Sequence, residues 1–331
     1  MSAKESTRVE YGKTLAKLGE ENPQIVVLDA DLSGSTQTHH FAKVFKDRFF
    51  NVGIAEQDLM GTAAGLALGG KIPFASTFAM FATGRAWEQI RQTIAYGNLN
   101  VKVVASHGGV TVGEDGGSHQ AIEDLALMRI LPNMVVLVPA DGPETRAMTR
   151  WAAGYRGPVY MRTGRMAVPL IYDDDYVFEL GRGSLLREGQ DVTLMGIGIM
   201  VQACLEAADL LTADGIEARV VNMACLKPLD WELVVESAQR TGAVVTAEEH
   251  MVVGGLGSAV SEILAEHCPT PMKRIGLRDT FGMSGKPGEL LKHYGLTAEN
   301  IKQAALQVMD RKANQVAEPL MGLQAPGMAG R

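Results

Sequence analysis

The chain has 331 residues, 46% hydrophobic and 21% charged, with a formal net charge of −7. That length suits two domains with sizeable cores, and the acidic balance leaves no basic footprint for nucleic acid or an anionic membrane surface. Cys204, Cys225 and Cys268 are odd in number and lack CxxC spacing, so neither a disulfide framework nor a structural zinc is expected. The polar start MSAKESTRVEYG and the lack of any apolar run of membrane-spanning length predict a cytoplasmic protein with no membrane segment.

Short runs rich in Val and Ile alternate with longer helix-like stretches. In chain order, strands are expected at 24–32, 71–78, 100–106, 134–141 and 158–163. Helices are expected at 56–68, 84–96, 119–131 and 143–153. Continuous apolar strands with helices between them argue for a parallel sheet covered on both faces. An acidic, turn-rich crossing at 168–190 separates this first domain (5–167) from a second, smaller α/β domain (191–312), in which the rhythm resumes. From 313 to 331 Pro, Gly and the loss of any period predict a disordered tail.

HGGVTVGEDGGSHQ (107–120) packs two histidines, two adjacent carboxylates and five glycines into fourteen positions directly after a strand. Ligands of open parallel sheets lie beyond the strands' carboxyl ends, and glycines let a backbone pass close to a bound molecule. His119 is expected near the start of the next helix, where free N–H groups favour an anion. FFNVGIAEQ (49–57) places Glu56 at a helix start among apolar neighbours, which predicts a poorly solvated carboxyl with a raised pKa. VGGLGSAV (253–260) lacks the full GxGxxG and reads as a tight turn, and the lack of a GxGxxG after the first strand weakens a nicotinamide-enzyme reading. His39 and His40 read as solvated, and Glu248, Glu249 and His250 as a domain or subunit contact.

NVGIAEQ, ASTFAMF, HGGVTVGEDGGSHQ and LPNMVVLVPAD, in this order, resemble the pyrimidine-binding domain of transketolase. VNMACLKPLD and VVTAEEHMVVGGLGSAVSEIL resemble the transketolase C-terminal domain. The resemblance covers about residues 5 to 312 and implies a parallel-sheet pyrimidine-binding domain followed by a smaller α/β domain. It further implies a thiamine-diphosphate enzyme that moves a two-carbon ketol group from a ketose phosphate to an aldose. The family's Gly-Asp-Gly motif is missing, which implies the C-terminal section of a split enzyme. A separate N-terminal subunit would then hold the diphosphate and Mg2+, with self-association giving two copies of each chain and no metal ligands here.

By the same resemblance Glu56 bonds a ring nitrogen of the aminopyrimidine and favours its imino tautomer, while Phe78 and Phe81 line the ring. The usual tyrosine three residues later is Gly84. His107, Asp115 and His119 contact the sugar and steady charge as the carbon–carbon bond breaks. Arg8, Ser35 and Arg165 join His107 in holding the phosphate. A deoxyxylulose-phosphate synthase-like protein, a 2-oxoacid dehydrogenase β-type subunit and a non-catalytic scaffold of the same fold remain alternatives.

Overall fold

The computed structural model describes residues 3–317. The first half supplies strands β1 (Lys4–Ser6), β2 (Ile25–Asp29), β3 (Phe49–Asn51), β4 (Ile72–Phe78), β5 (Lys102–Ser106), β6 (Val135–Leu137), β7 (Val159–Arg162) and β8 (Ala167–Pro169). The second half supplies β9 (Ser184–Arg187), β10 (Val192–Gly196), β11 (Ala218–Asn222), β12 (Cys225–Lys227), β13 (Val244–Met251) and β14 (Met272–Leu277). The larger sheet has the order β12-β6-β7-β5-β4-β2-β3 and is parallel except for β12. The smaller has the order β14-β13-β10-β11-β9 and is parallel except for β9.

Burial explains the strand composition. Every residue of β2, β5 and β10 is buried, because helices cover both faces of a parallel sheet. Lys102 is the exception in kind. Its ammonium donates to Asn100 Oδ1, Tyr155 O and Gly157 O, each at 2.7 Å, and burial pushes its pKa down to about 7. One core packs Leu28, Leu59, Ile90, Val103 and Met128, and a second packs Val192, Cys204, Leu211 and Ile301. All three cysteines are free.

Several elements depart from the sequence expectation. The crossing 168–190 is not a bare linker: β8 pairs antiparallel with β1, and β9 is already the edge of the second sheet. Strand β12 comes from the second half yet closes the first sheet against β6. The stretch 84–96 is helical, but two wide π turns, Phe81–Arg85 and Ile90–Ala95, flank Trp87–Gln89. The helix expected at 119–131 shrinks to Asp124–Arg129, so His119 is not at its start. Instead Gln120 Nε2 donates to Val110 O, Gly113 O and Met283 O, which ties the preceding turns to a loop of the second domain. The last helix, Ala298–Ala317, runs past residue 313, and the remainder of the expected tail lies outside the described residues.

Candidate active site

Four loops meet above the carboxyl ends of β2, β3, β4 and β5. Register pairs Asp29 with Asn51 and Ser76, and Phe78 with Ser106, so β2 and β3 end level and β4 and β5 end together two residues further on. This is where an open parallel sheet offers a ligand crevice. The loop after β2 is shaped by buried Asp29, which accepts from Leu32 N at 2.6 Å, Thr36 Oγ1 at 2.7 Å and Thr38 Oγ1 at 2.9 Å. Gly12 lets that loop close on the first helix, since a Cβ there would lie 2.3 Å from Gln37 O.

Glu56 begins the helix Glu56–Leu68 and is 1% exposed. Arg85 Nη1 donates to its Oε2 at 2.7 Å, a partner the sequence did not announce. The Arg85 guanidinium also lies 5.0 Å from the centroid of the Phe81 ring. The Phe78 and Phe81 rings are nearly parallel, 5.9 Å apart, and His107 stacks on Phe78 at 3.8 Å. His119 meets Phe81 edge-on at 5.3 Å and Phe78 at 6.1 Å. Glu56, Phe78, Phe81, His107 and His119, scattered over 64 positions of sequence, therefore form one site. A planar, N–H-bearing ring fits it: Phe81 offers a face and Glu56 a carboxylate, and the Arg85 guanidinium already makes both contacts.

His107 holds φ +61, a left-handed conformation that costs a non-glycine residue about 1 kcal/mol or more and clusters at functional sites. It is 2% exposed, with Nδ1 2.8 Å from Ser106 Oγ. Burial first, then the charges of Arg8, Arg165 and His119, push its pKa down to about 3. It is a neutral imidazole at physiological pH.

The positive charges that act on His107 gather at one end of the site. Arg8 Nη1 donates to Ser35 O at 2.7 Å, and its buried Nε has no partner among the described residues. Burial, then Arg165, lowers the Arg8 pKa, as two cations held close require. Arg165 Nη1 donates to Val112 O and lies 3.3 Å from Glu114 Oε2. Asp115 is exposed and makes no side-chain hydrogen bond among the described residues, so it is near the other site groups in sequence but not tied to them.

The second domain grips the glycine-rich loop from behind. Glu249 accepts from Thr111 N, and Arg162 Nη2 donates to Glu249 O at 2.8 Å. Tyr160 donates to Asp124 Oδ2 at 2.7 Å beside them. Glu249 thus lies at a domain contact, as does His250, whose Nε2 accepts from Ala126 N at 3.4 Å. Glu248 accepts from Leu256 N at 2.7 Å and Gly257 N at 2.8 Å, so its carboxylate fills the anion position of the VGGLGSAV turn. His39 and His40 are half-buried, their rings tilted against each other at 4.2 Å, rather than freely solvated. Among the described residues no three His, Cys, Asp or Glu side chains converge to hold a metal ion, and no helix is long and apolar enough to cross a membrane.

The transketolase pyrimidine-binding domain family matches residues 3–170, and the transketolase C-terminal domain family matches residues 181–301. The chain belongs to the transketolase family, as a C-terminal section of the split kind. A transketolase C-terminal section from Methanocaldococcus jannaschii is 50% identical over 91% of this chain and 96% of its own length. The 6-deoxy-6-sulfo-D-fructose transketolase subunit of Clostridium sp. (strain MSTE9) is 44% identical over 91% of this chain and 94% of its own. A solved split-gene transketolase, described as an inactive beta4 tetramer, is 59% identical over 93% of this chain and 99% of its own, with a TM-score of 0.87. Arg85 is the functional neighbour the sequence missed; its only signal was its place beside Gly84, where the family's tyrosine is lost.

Proposed function

We propose that this transketolase subunit holds the aminopyrimidine end of thiamine diphosphate and the sugar, and works only with a partner chain that holds the diphosphate and Mg2+. The observation that carries it is the joining of Glu56, Phe81, His107 and His119 on one crevice, without any Gly-Asp-Gly in the sequence or a metal-ligand cluster among the described residues. Bound there, the cofactor supplies the nucleophilic carbon and the electron sink for carbon–carbon cleavage. The chain's residues do the rest. Glu56 holds a proton at the ring nitrogen and fixes the tautomer. Phe78 and Phe81 set the ring plane and keep water from it. His107, held neutral, and His119 hydrogen-bond the sugar hydroxyls and carbonyl, and Asp115 reaches a further hydroxyl once the loop is covered.

Arg8, Arg165 and the Ser35 loop take the far end of the substrate. Two close cations with an unpartnered buried N–H want an anion, and a planar fork suits tetrahedral oxyanions. A ketose phosphate is the substrate class proposed. A terminal sulfonate is the second reading, favoured by the relative named as a 6-deoxy-6-sulfo-D-fructose transketolase subunit. A cytoplasmic complex of two copies of each chain is the assembly proposed. Mixing the chain with the N-terminal subunit should create ketol transfer to an aldose; absence of transfer from both phospho- and sulfo-ketoses would sink the proposal.

A further inference from the structure

We propose that Arg85 is a built-in substitute for the pyrimidine ring, filling its place in the cofactor-free chain and swinging out when the cofactor arrives. The inference rests on the assignment of Glu56 and Phe81 to that ring. A guanidinium is planar, carries N–H donors at its edge and stacks on aromatic faces. Arg85 uses all three properties: Nη1 donates to Glu56 Oε2 at 2.7 Å, and the group lies 5.0 Å from the Phe81 centroid. Those are the two contacts an aminopyrimidine needs, a carboxylate for its ring nitrogen and a ring to stack on. Both cannot be occupied twice.

The pair has a physical reason to exist. Glu56 is 1% exposed, and a carboxylate so buried needs a partner when no ring is present. Arg85 is free to leave. Its side chain is 52% exposed, and among the described residues Glu56 is its one side-chain hydrogen-bond partner. It ends a single wide π turn, Phe81–Arg85, next to exposed Gly84, and a Cβ at Gly84 would meet only the flexible end of Met80. A lasting Arg85–Glu56 bond would also keep from the ring nitrogen the Glu56 oxygen it needs. Release of Arg85 is therefore needed for the ring to bind.

The test uses the complex reconstituted with the N-terminal subunit, titrated with thiamine diphosphate and Mg2+ by calorimetry. Arg85→Met should bind about three to thirty times tighter than wild type, on the low side for a charged hydrogen bond because half of Arg85 stays in water. Arg85→Lys, which keeps the charge but not the plane, should fall between. In a crystal structure of the loaded wild-type complex, Arg85 should lie beyond hydrogen-bond reach of Glu56. Equal or weaker binding by a folded Arg85→Met, or Arg85 still bonded to Glu56 in the loaded complex, overturns the proposal. If Arg85→Met fails to fold, the loaded wild-type structure decides alone. A cofactor ring bound away from Glu56 and Phe81 would instead refute the pocket assignment, and this proposal with it.

Discussion

Replacing Arg8 by Met separates anion binding from scaffolding at the far end of the site. Arg8 is half-buried, commits Nη1 to Ser35 O at 2.7 Å and leaves its buried Nε without a partner among the described residues. Burial and the Arg165 charge both disfavour its cationic form, so an arriving oxyanion relieves a repulsion as well as gaining a hydrogen bond. A hydrogen bond to a charged group contributes roughly 1.5–3 kcal/mol. Its loss should lower kcat/KM for a ketose phosphate by about tenfold to a hundredfold, mostly through KM. A ketose without the anionic end should lose less than about threefold. Folding should change little, by about 1 kcal/mol for the orphaned Ser35 carbonyl. The assay is steady-state ketol transfer in the reconstituted complex with both substrates. Equal losses for the two, or no loss for the phosphate, would refute the clamp.

Three further outcomes are expected. His107 is held neutral, with its pKa pushed down to about 3; its C2 proton in NMR should not titrate between pH 5 and 8, and a midpoint near 6.5 would contradict the burial argument. Because the unfolded chain takes up this proton and the native chain does not, His107 makes stability rise with pH between about 3 and 6.5. Glu144 has the opposite sign. Burial pushes it up to about 7 while Asn222 Nδ2 bonds it at 3.0 Å across the domain joint. The native state then holds the extra proton from about pH 4.5 to 7, and its stabilisation, roughly 3 kcal/mol at most, fades as pH rises through that window. Glu144→Gln should flatten the fall in melting temperature from pH 5.5 to 8; an unchanged slope would remove Glu144 as its cause. Lys102→Met should destabilise the chain by about 2–5 kcal/mol in urea, since Tyr155 O, Gly157 O and Asn100 Oδ1 lose their donor; a neutral effect would mean water replaces it.

The strands were legible because burial on both faces writes itself as continuous Val and Ile, as in IVVLD and KVVAS. So was the helix at Glu56, and with it the place of the carboxylate. What stayed hidden depends on partners distant in sequence. Strand β12 follows β11 by two residues yet crosses to the other domain's sheet. Nothing in the apolar period of 119–131 reveals that Gln120 spends its amide on three carbonyls, so the helix starts late at Asp124. Arg85 reads as an ordinary charge on a helix; only folding brings Phe81–Arg85 over Glu56. Of the site residues carried by the resemblance, Phe81, His107 and His119 came together around Phe78, Arg8 met Ser35, and Asp115 was left in solvent.

Hydrogen–deuterium exchange at the thiazolium carbon of thiamine diphosphate tests the central claim most directly. It should be at the solution rate with this chain alone, strongly accelerated with the N-terminal subunit and Mg2+ added, and lost again in the Glu56→Ala complex that still assembles. Full acceleration by the isolated chain, or normal exchange in the Glu56→Ala complex, would contradict the account.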